Sequence, residues 1–306
     1  MAPIITPCDA TFGAVISNIN LAALDDASWK VVEAAFPEYG VLVFPEQALS
    51  PEDQYAFACR FGEIEVTRAG SEGKTVYISN EKEAGKVFSP DESRFMQLRG
   101  NEGWHLDSTY MPLAAKAGLL QANVIPSSGG GTEFADTRAA YDALDESTKK
   151  QIAGLSGFHS LYASQAKIGQ KVPTGAGYGY HTKGAPLRPL VRTHPVTGRK
   201  SLCIGRHIFR IPGMDDDAAV KLVDELVDFA CQPPRVYSHK WAVGDLIVWD
   251  NRFVMHRAMP YDFNETRVLQ ANRVAGDPAS ELAPTDRDPY ASDYRPTGSN
   301  EIEVGV

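Results

Sequence analysis

The chain has 306 residues, 43% of them hydrophobic, 23% charged and 9% aromatic, with 30 Lys and Arg against 39 Asp and Glu, a formal net charge of −9. These fractions describe a soluble globular protein with enough apolar material for a full core, which excludes fibrous and disulfide-scaffold classes. The acidic balance argues against a nucleic-acid partner, and no run approaches the roughly 18 apolar residues of a membrane span, so no membrane partner is expected.

The first residues lack a basic segment followed by a long apolar one, so no secretory signal is expected. Four cysteines (Cys8, Cys59, Cys203 and Cys231) stand far apart with no C-x-x-C pair. They read as reduced thiols of a cytoplasmic protein. Residues 12–19 read as strand, and so does the apolar run Val41–Phe44 between Gly40 and Pro45. A helix should follow, with Ser50 as its cap, Pro51 in the first turn, Asp53 third and Gly62 beyond its end. Ala140, Leu144 and Ile152 predict one helix over 137–152. Asp215, Asp216 and Asp217 open another over 216–231, at the end where the helix dipole favours acidic groups. Short strands are expected at 246–249, 253–255 and 268–274. Many short strands with a few helices favour a mainly β fold with helical insertions, a sandwich or barrel, as one domain over residues 1–276. Residues 277–306, rich in Pro, Asp, Ser and Glu, read as an irregular acidic tail.

Trp104-His105-Leu106-Asp107 is the most informative tetrapeptide. Extended, it sets His105 and Asp107 on one face, about 6.6 Å apart along the strand. Alone, the pair is more often a hydrogen-bonded histidine beside an exposed aspartate at a strand end. His256, in the stretch from Trp249 to Arg257, offers a third ligand. Two histidines and one carboxylate suit Fe(II) with open coordination positions, and a catalytic zinc site is the competing chemistry. Arg267, eleven residues after His256, can donate two parallel hydrogen bonds to a carboxylate. Thr132, after Gly129-Gly130-Gly131, can add a hydroxyl. The glycine run lacks the Gly-Lys-Ser/Thr ending of a phosphate loop and is otherwise an inter-strand loop.

These motifs, in this order and spacing, resemble the taurine/2,4-D dioxygenase family of Fe(II)- and 2-oxoglutarate-dependent oxygenases. The likeness runs from residue 10 to about 277, through Trp-His-x-Asp-Ser at 104–108, Gly-Gly-x-Thr at 129–132, Trp-Asp-Asn-Arg at 249–252, Met-His-Arg at 255–257 and the Arg267 strand. Within the family the chain is most similar to dioxygenases of (S)-phenoxypropionates and other aryloxyalkanoates, through 139–145, 164–169, 186–190, 204–207 and 211–214. The resemblance implies a double-stranded β-helix, a cupin-like jelly-roll core. It further implies Fe(II) on His105, Asp107 and His256, with 2-oxoglutarate anchored by Arg267 and Thr132, and O2 as oxidant. Succinate and CO2 are the implied co-products, and a homo-oligomer, dimer to tetramer, is the implied assembly. Ala271 stands where the taurine branch has an arginine for the sulfonate, and Arg273 follows two residues later.

A small-molecule carboxylate substrate needs cations, for which Lys167, Arg206, His207 and Arg273 are candidates, with Asn101 and Ser108 as polar lining. Each has an ordinary alternative, such as a loop ion pair or a solvated helix end. Tyr110, Tyr162, Tyr178 and Tyr180 can wall an aromatic ligand or pack in the core. On an aryloxyalkanoate, hydroxylation at the ether carbon releases a phenol and a 2-keto acid. Hydroxylation or desaturation of a natural carboxylate, or oxidation of a sulfonate, uses the same machinery. A zinc hydrolase and a noncatalytic jelly-roll binding module are rival readings.

Overall fold

The computed structural model describes residues 2–66 and 75–292. Its centre is a seven-stranded sheet whose inner strands run in the order Val41–Phe44, Leu246–Asp250, Ala115–Val124 and Val268–Ala275. A three-stranded sheet of Val236–His239, Thr132–Asp136 and Val254–Ala258 faces it. Strand alternation shows how the layers stack. Val41, Val43, Ile247, Trp249, Leu120 and Leu269 point inward and meet Phe134 and Val254 of the smaller sheet. Leu42, Phe44, Leu246, Val248 and Leu119 point the other way, onto Val32, Phe36, Phe57 and Phe61. Behind the smaller sheet, Ala135 and Met255 pack with Val223 and Leu226. The molecule is therefore mainly β with helical additions, and strands Val41–Phe44 and Leu246–Asp250 are buried on both faces, as the apolar runs 41–44 and 246–249 indicate.

The capped helix forms as expected over Pro51–Cys59, with Ser50 accepting from the Asp53 amide, and the acid-led helix spans Asp216–Ala230. The expected helix over 137–152 is two, Thr137–Ala143 and Glu146–Ile152, because Asp145 caps the second by accepting from the Thr148 amide. Helices Asp26–Tyr39, Ser93–Gly100 and Leu161–Ala166 were not anticipated. The expected tail begins with short ordered elements over its described part. Residues Pro278–Glu281 form a helical turn, and Thr285–Asp286 pairs with Ala185–Pro189. The rest of the tail, 293–306, lies outside the described residues.

Candidate active site

His256 sits on strand Val254–Ala258, inside the sandwich against Trp249 at 4.6 Å between ring centroids. Trp249 fits there because its cross-strand partner is Gly118, where an added Cβ would meet the indole at 2.2 Å. His105 joins the edge of the same small sheet through a two-way backbone pair with His256, 3.1 and 2.9 Å, which brings the two imidazoles to 4.2 Å. The extended reading of 104–107 holds only for His105. Asp107 is returned to the histidines by a turn, with Ser108 at φ +55°. Asn251 holds that turn: its Oδ1 accepts from the Asp107 amide at 2.7 Å, and its Nδ2 donates to the carbonyls of Asp107 and Ala115. Next to it, Asp250 is buried between Arg252 and His194. Burial disfavours its charge, but those two partners hold its carboxyl well below the usual range.

One ligand atom from each of His105, Asp107 and His256 lies within 4.8 Å of the others. Their protonation suits a divalent cation. Burial lowers both histidines, His256 to about 3, so both imidazoles are neutral. His105 Nδ1 lies 2.8 Å from the Gly103 carbonyl, which as acceptor fixes the proton on that nitrogen and frees Nε2. Burial opposes ionisation of Asp107, but the Arg273 guanidinium beside it keeps its carboxyl below the ordinary value. Two neutral nitrogens and one carboxylate on one side of the ion leave positions open, the donor set of a non-haem Fe(II) site.

Arg267 immediately precedes strand Val268–Ala275. Its Nε donates to the Gly130 carbonyl at 2.8 Å, its guanidinium lies 5.6 Å from the Tyr261 ring centroid, and burial lowers it to about 10. It opens into a cavity lined by Ile78, Leu98, Asn101, Ala258 and Tyr261. Thr132 is buried two residues beyond Gly130, its hydroxyl accepting from the Trp241 indole at 3.0 Å. Asn101 therefore shares the Arg267 cavity, and its carbonyl accepts from Ala258, two residues past His256.

The other expected residues divide. Arg273 reaches Asp107, with Nη2 2.7 Å from Oδ1, and lies against Tyr178 at 5.2 Å. The Ser108 hydroxyl is 2.7 Å from the Tyr178 hydroxyl and donates to Glu65 at 3.0 Å. His207 is buried 5.7 Å from the His105 ring and 4.8 Å from Tyr110, with Nδ1 on Ser164 and Nε2 unpartnered. Two cations stand elsewhere. Arg206 donates to the carbonyls of Gly100 and Ser164, beneath Gly103. Lys167 is exposed and donates to the Ile208 carbonyl. Both tie main chain together. Tyr110 and Tyr178 wall the cluster, whereas Tyr162 and Tyr180 pair with each other. Glu65 and the clamp by Asn251 were missed. Glu65 carries no sequence signal, and Asn251 had one only as part of the Trp-Asp-Asn-Arg motif.

Residues 4–271 match the model of the family described as "Taurine catabolism dioxygenase TauD, TfdA family". The chain belongs to this family. It is 50% identical over 285 residues to an (S)-phenoxypropionate/alpha-ketoglutarate-dioxygenase of Sphingobium herbicidovorans, covering 91% of this chain and 97% of that one. It is 37% identical to an alpha-ketoglutarate-dependent 2,4-dichlorophenoxyacetate dioxygenase of Cupriavidus pinatubonensis, covering 88% and 96%. Among solved structures, AAD-2 in complex with Mn(II) and N-oxalylglycine superposes with a TM-score of 0.84 at 37% identity, over 93% of this chain and 100% of that one. A taurine dioxygenase from Burkholderia xenovorans gives 0.73 at 25%, over 90% and 92%. As a TauD, TfdA family member the chain is a 2-oxoglutarate-dependent dioxygenase with a jelly-roll core, and Fe(II), 2-oxoglutarate and O2 are its cofactor and co-substrates. No described helix is long and apolar enough to cross a membrane.

Proposed function

We propose that this dioxygenase oxidises a C–H bond of a small aromatic carboxylate of the aryloxyalkanoate kind. His105, Asp107 and His256 hold Fe(II), and Arg267 with Thr132 anchors 2-oxoglutarate. The observation that carries the reading is the convergence of three ligand atoms within 4.8 Å, in a chain half identical to an (S)-phenoxypropionate dioxygenase. When bound, iron and 2-oxoglutarate supply an oxidative decarboxylation that consumes O2, releases succinate and CO2, and delivers one oxygen atom to substrate.

The side chains set the conditions for that chemistry. Arg273 occupies Asp107 Oδ1, which leaves Oδ2, on the His256 side, for the ion. No described carboxylate pairs with Arg267, so its charge is available to the distal carboxylate of 2-oxoglutarate. Tyr110, Tyr178 and His207 form an aromatic wall beside His105 and Asp107. Ala271 removes the arginine that a sulfonate would require. Hydroxylation of the ether carbon gives a hemiketal, which collapses to a phenol and a 2-keto acid. Four thiols without a disulfide support placement in the cytoplasm.

Anaerobic titration with Fe(II) and 2-oxoglutarate tests the anchor. Wild type should give a weak visible charge-transfer band. Arg267→Ala should need about 100-fold more 2-oxoglutarate to reach it, the scale for deleting one partner of a buried charge-assisted pair. An unchanged 2-oxoglutarate midpoint in that variant would remove Arg267 from the role.

A further inference from the structure

We infer that Glu65 is a positioning residue of the metal centre: it holds Arg273 and Ser108 so that Asp107 offers one oxygen to the ion. The inference rests on the ligand assignment above and adds a residue to it.

Backbone pairing places Glu65 before any side chain is considered. The Glu65 amide donates to the Arg273 carbonyl at 2.8 Å, Ile64 bridges Val274, and the Ala275 amide donates to Glu63 at 2.8 Å. Segment 63–65 is thus zipped to the end of strand Val268–Ala275, and Glu65 stands beside Arg273. Its side chain is 11% exposed, with Oε2 3.8 Å from Arg273 Nε and 3.0 Å from Ser108 Oγ. Arg273 Nη2 in turn donates to Asp107 Oδ1 at 2.7 Å. Ser108 follows Asp107 in the chain, so Asp107, Arg273, Glu65 and Ser108 form a closed ring. The ring also explains how Ser108 keeps φ +55°, a conformation that costs an L-residue free energy unless its surroundings fix it.

Charge gives the ring its consequence for the metal. One guanidinium is shared between two carboxylates. Without the negative charge of Glu65, Arg273 is compensated by Asp107 alone, draws harder on it, and makes it a poorer ligand. Outer-sphere partners of this kind change metal affinity by roughly 10–100-fold.

The test is an anaerobic Fe(II) titration of the full chain at pH 8 with saturating 2-oxoglutarate, read by the visible band and needing no turnover. Glu65→Gln, equal in shape but uncharged, should raise the half-saturating Fe(II) concentration at least tenfold. Glu65→Asp, which keeps the charge, should recover part of that loss. In an Arg273→Met background the Glu65→Gln change should shift the midpoint less than twofold. A Glu65→Gln midpoint within twofold of wild type overturns the inference. So does an equal factor in both backgrounds, which would mark a general structural role. If the wild type itself gives no band, the ligand assignment fails, and the inference with it.

Discussion

Glu65 shows how a side chain with no sequence signature comes to matter. Nothing distinguishes it from the other acidic residues of an acidic chain until the fold closes it between Arg273 and Ser108. Burial then raises its carboxyl to about 7, against the partly offsetting pull of Arg273. A carboxyl near 4.5 when unfolded and 7 when folded binds more protons in the native state between those values. Its presence therefore costs stability as pH rises through that window, by up to about 3 kcal/mol. In metal-free protein, Glu65→Gln should be no more stable than wild type at pH 4 and should gain on it progressively up to pH 8, as thermal melts would show. A difference that stays constant across that range would contradict the shift. The convergence of His105, Asp107 and His256 was legible only through the motifs taken together, because His-x-Asp alone has an ordinary structural alternative. The cations were less so. Arg206 and Arg273 look alike in sequence, yet one is spent on the carbonyls of Gly100 and Ser164 and the other meets Asp107.

At the scale of elements, local rules succeeded where local physics decides. The runs at 41–44 and 246–249 are apolar at every position because both faces are covered, and Ser50 with Pro51 marks a helix start by capping chemistry alone. The break at Asp145 was missed because Leu144 and Ile152 keep a helical apolar spacing across it, while the aspartate caps a new helix. The turn at Asp107 was missed for a different reason, since what bends it is tertiary: the Asn251 side chain, 144 residues away. Asn251→Ala should leave the Asp107 amide without its partner and two carbonyls one bond short, a cost of about 2–4 kcal/mol. It should also weaken Fe(II) binding roughly tenfold. Urea unfolding and the anaerobic metal titration measure the two effects separately. A variant that loses stability yet binds Fe(II) like wild type would show that the clamp does not position the ligand.

Over the whole molecule, the described tail is part of the structure that holds the site. Arg188 donates to the carbonyls of Thr109, Met111, Pro112 and Glu281, knotting the loop after Asp107 to the segment after Gly276. Glu281 is buried and paired with Arg192 at 3.0 Å. Composition could not reveal this, because a polar, proline-rich segment is held by a few specific contacts rather than by an apolar face. Glu281→Gln should cost about 1–3 kcal/mol in chemical denaturation, the scale for removing the charge from a hydrogen bond between a buried carboxylate and a half-buried arginine that keeps its bond to the Asn251 carbonyl. An unchanged midpoint would return the segment to the status of an appendage. The fold class was accessible through the order of motifs, and the proposed substrate rests on likeness and on the aromatic wall at Tyr110, Tyr178 and His207. The most direct test is turnover of (S)-2-phenoxypropionate in air with Fe(II) and 2-oxoglutarate, with succinate and phenol quantified together. The proposed function predicts phenol and succinate in equal amounts, both dependent on the carboxylate substrate. Succinate release that this substrate does not stimulate, or stimulated release without phenol, would contradict it.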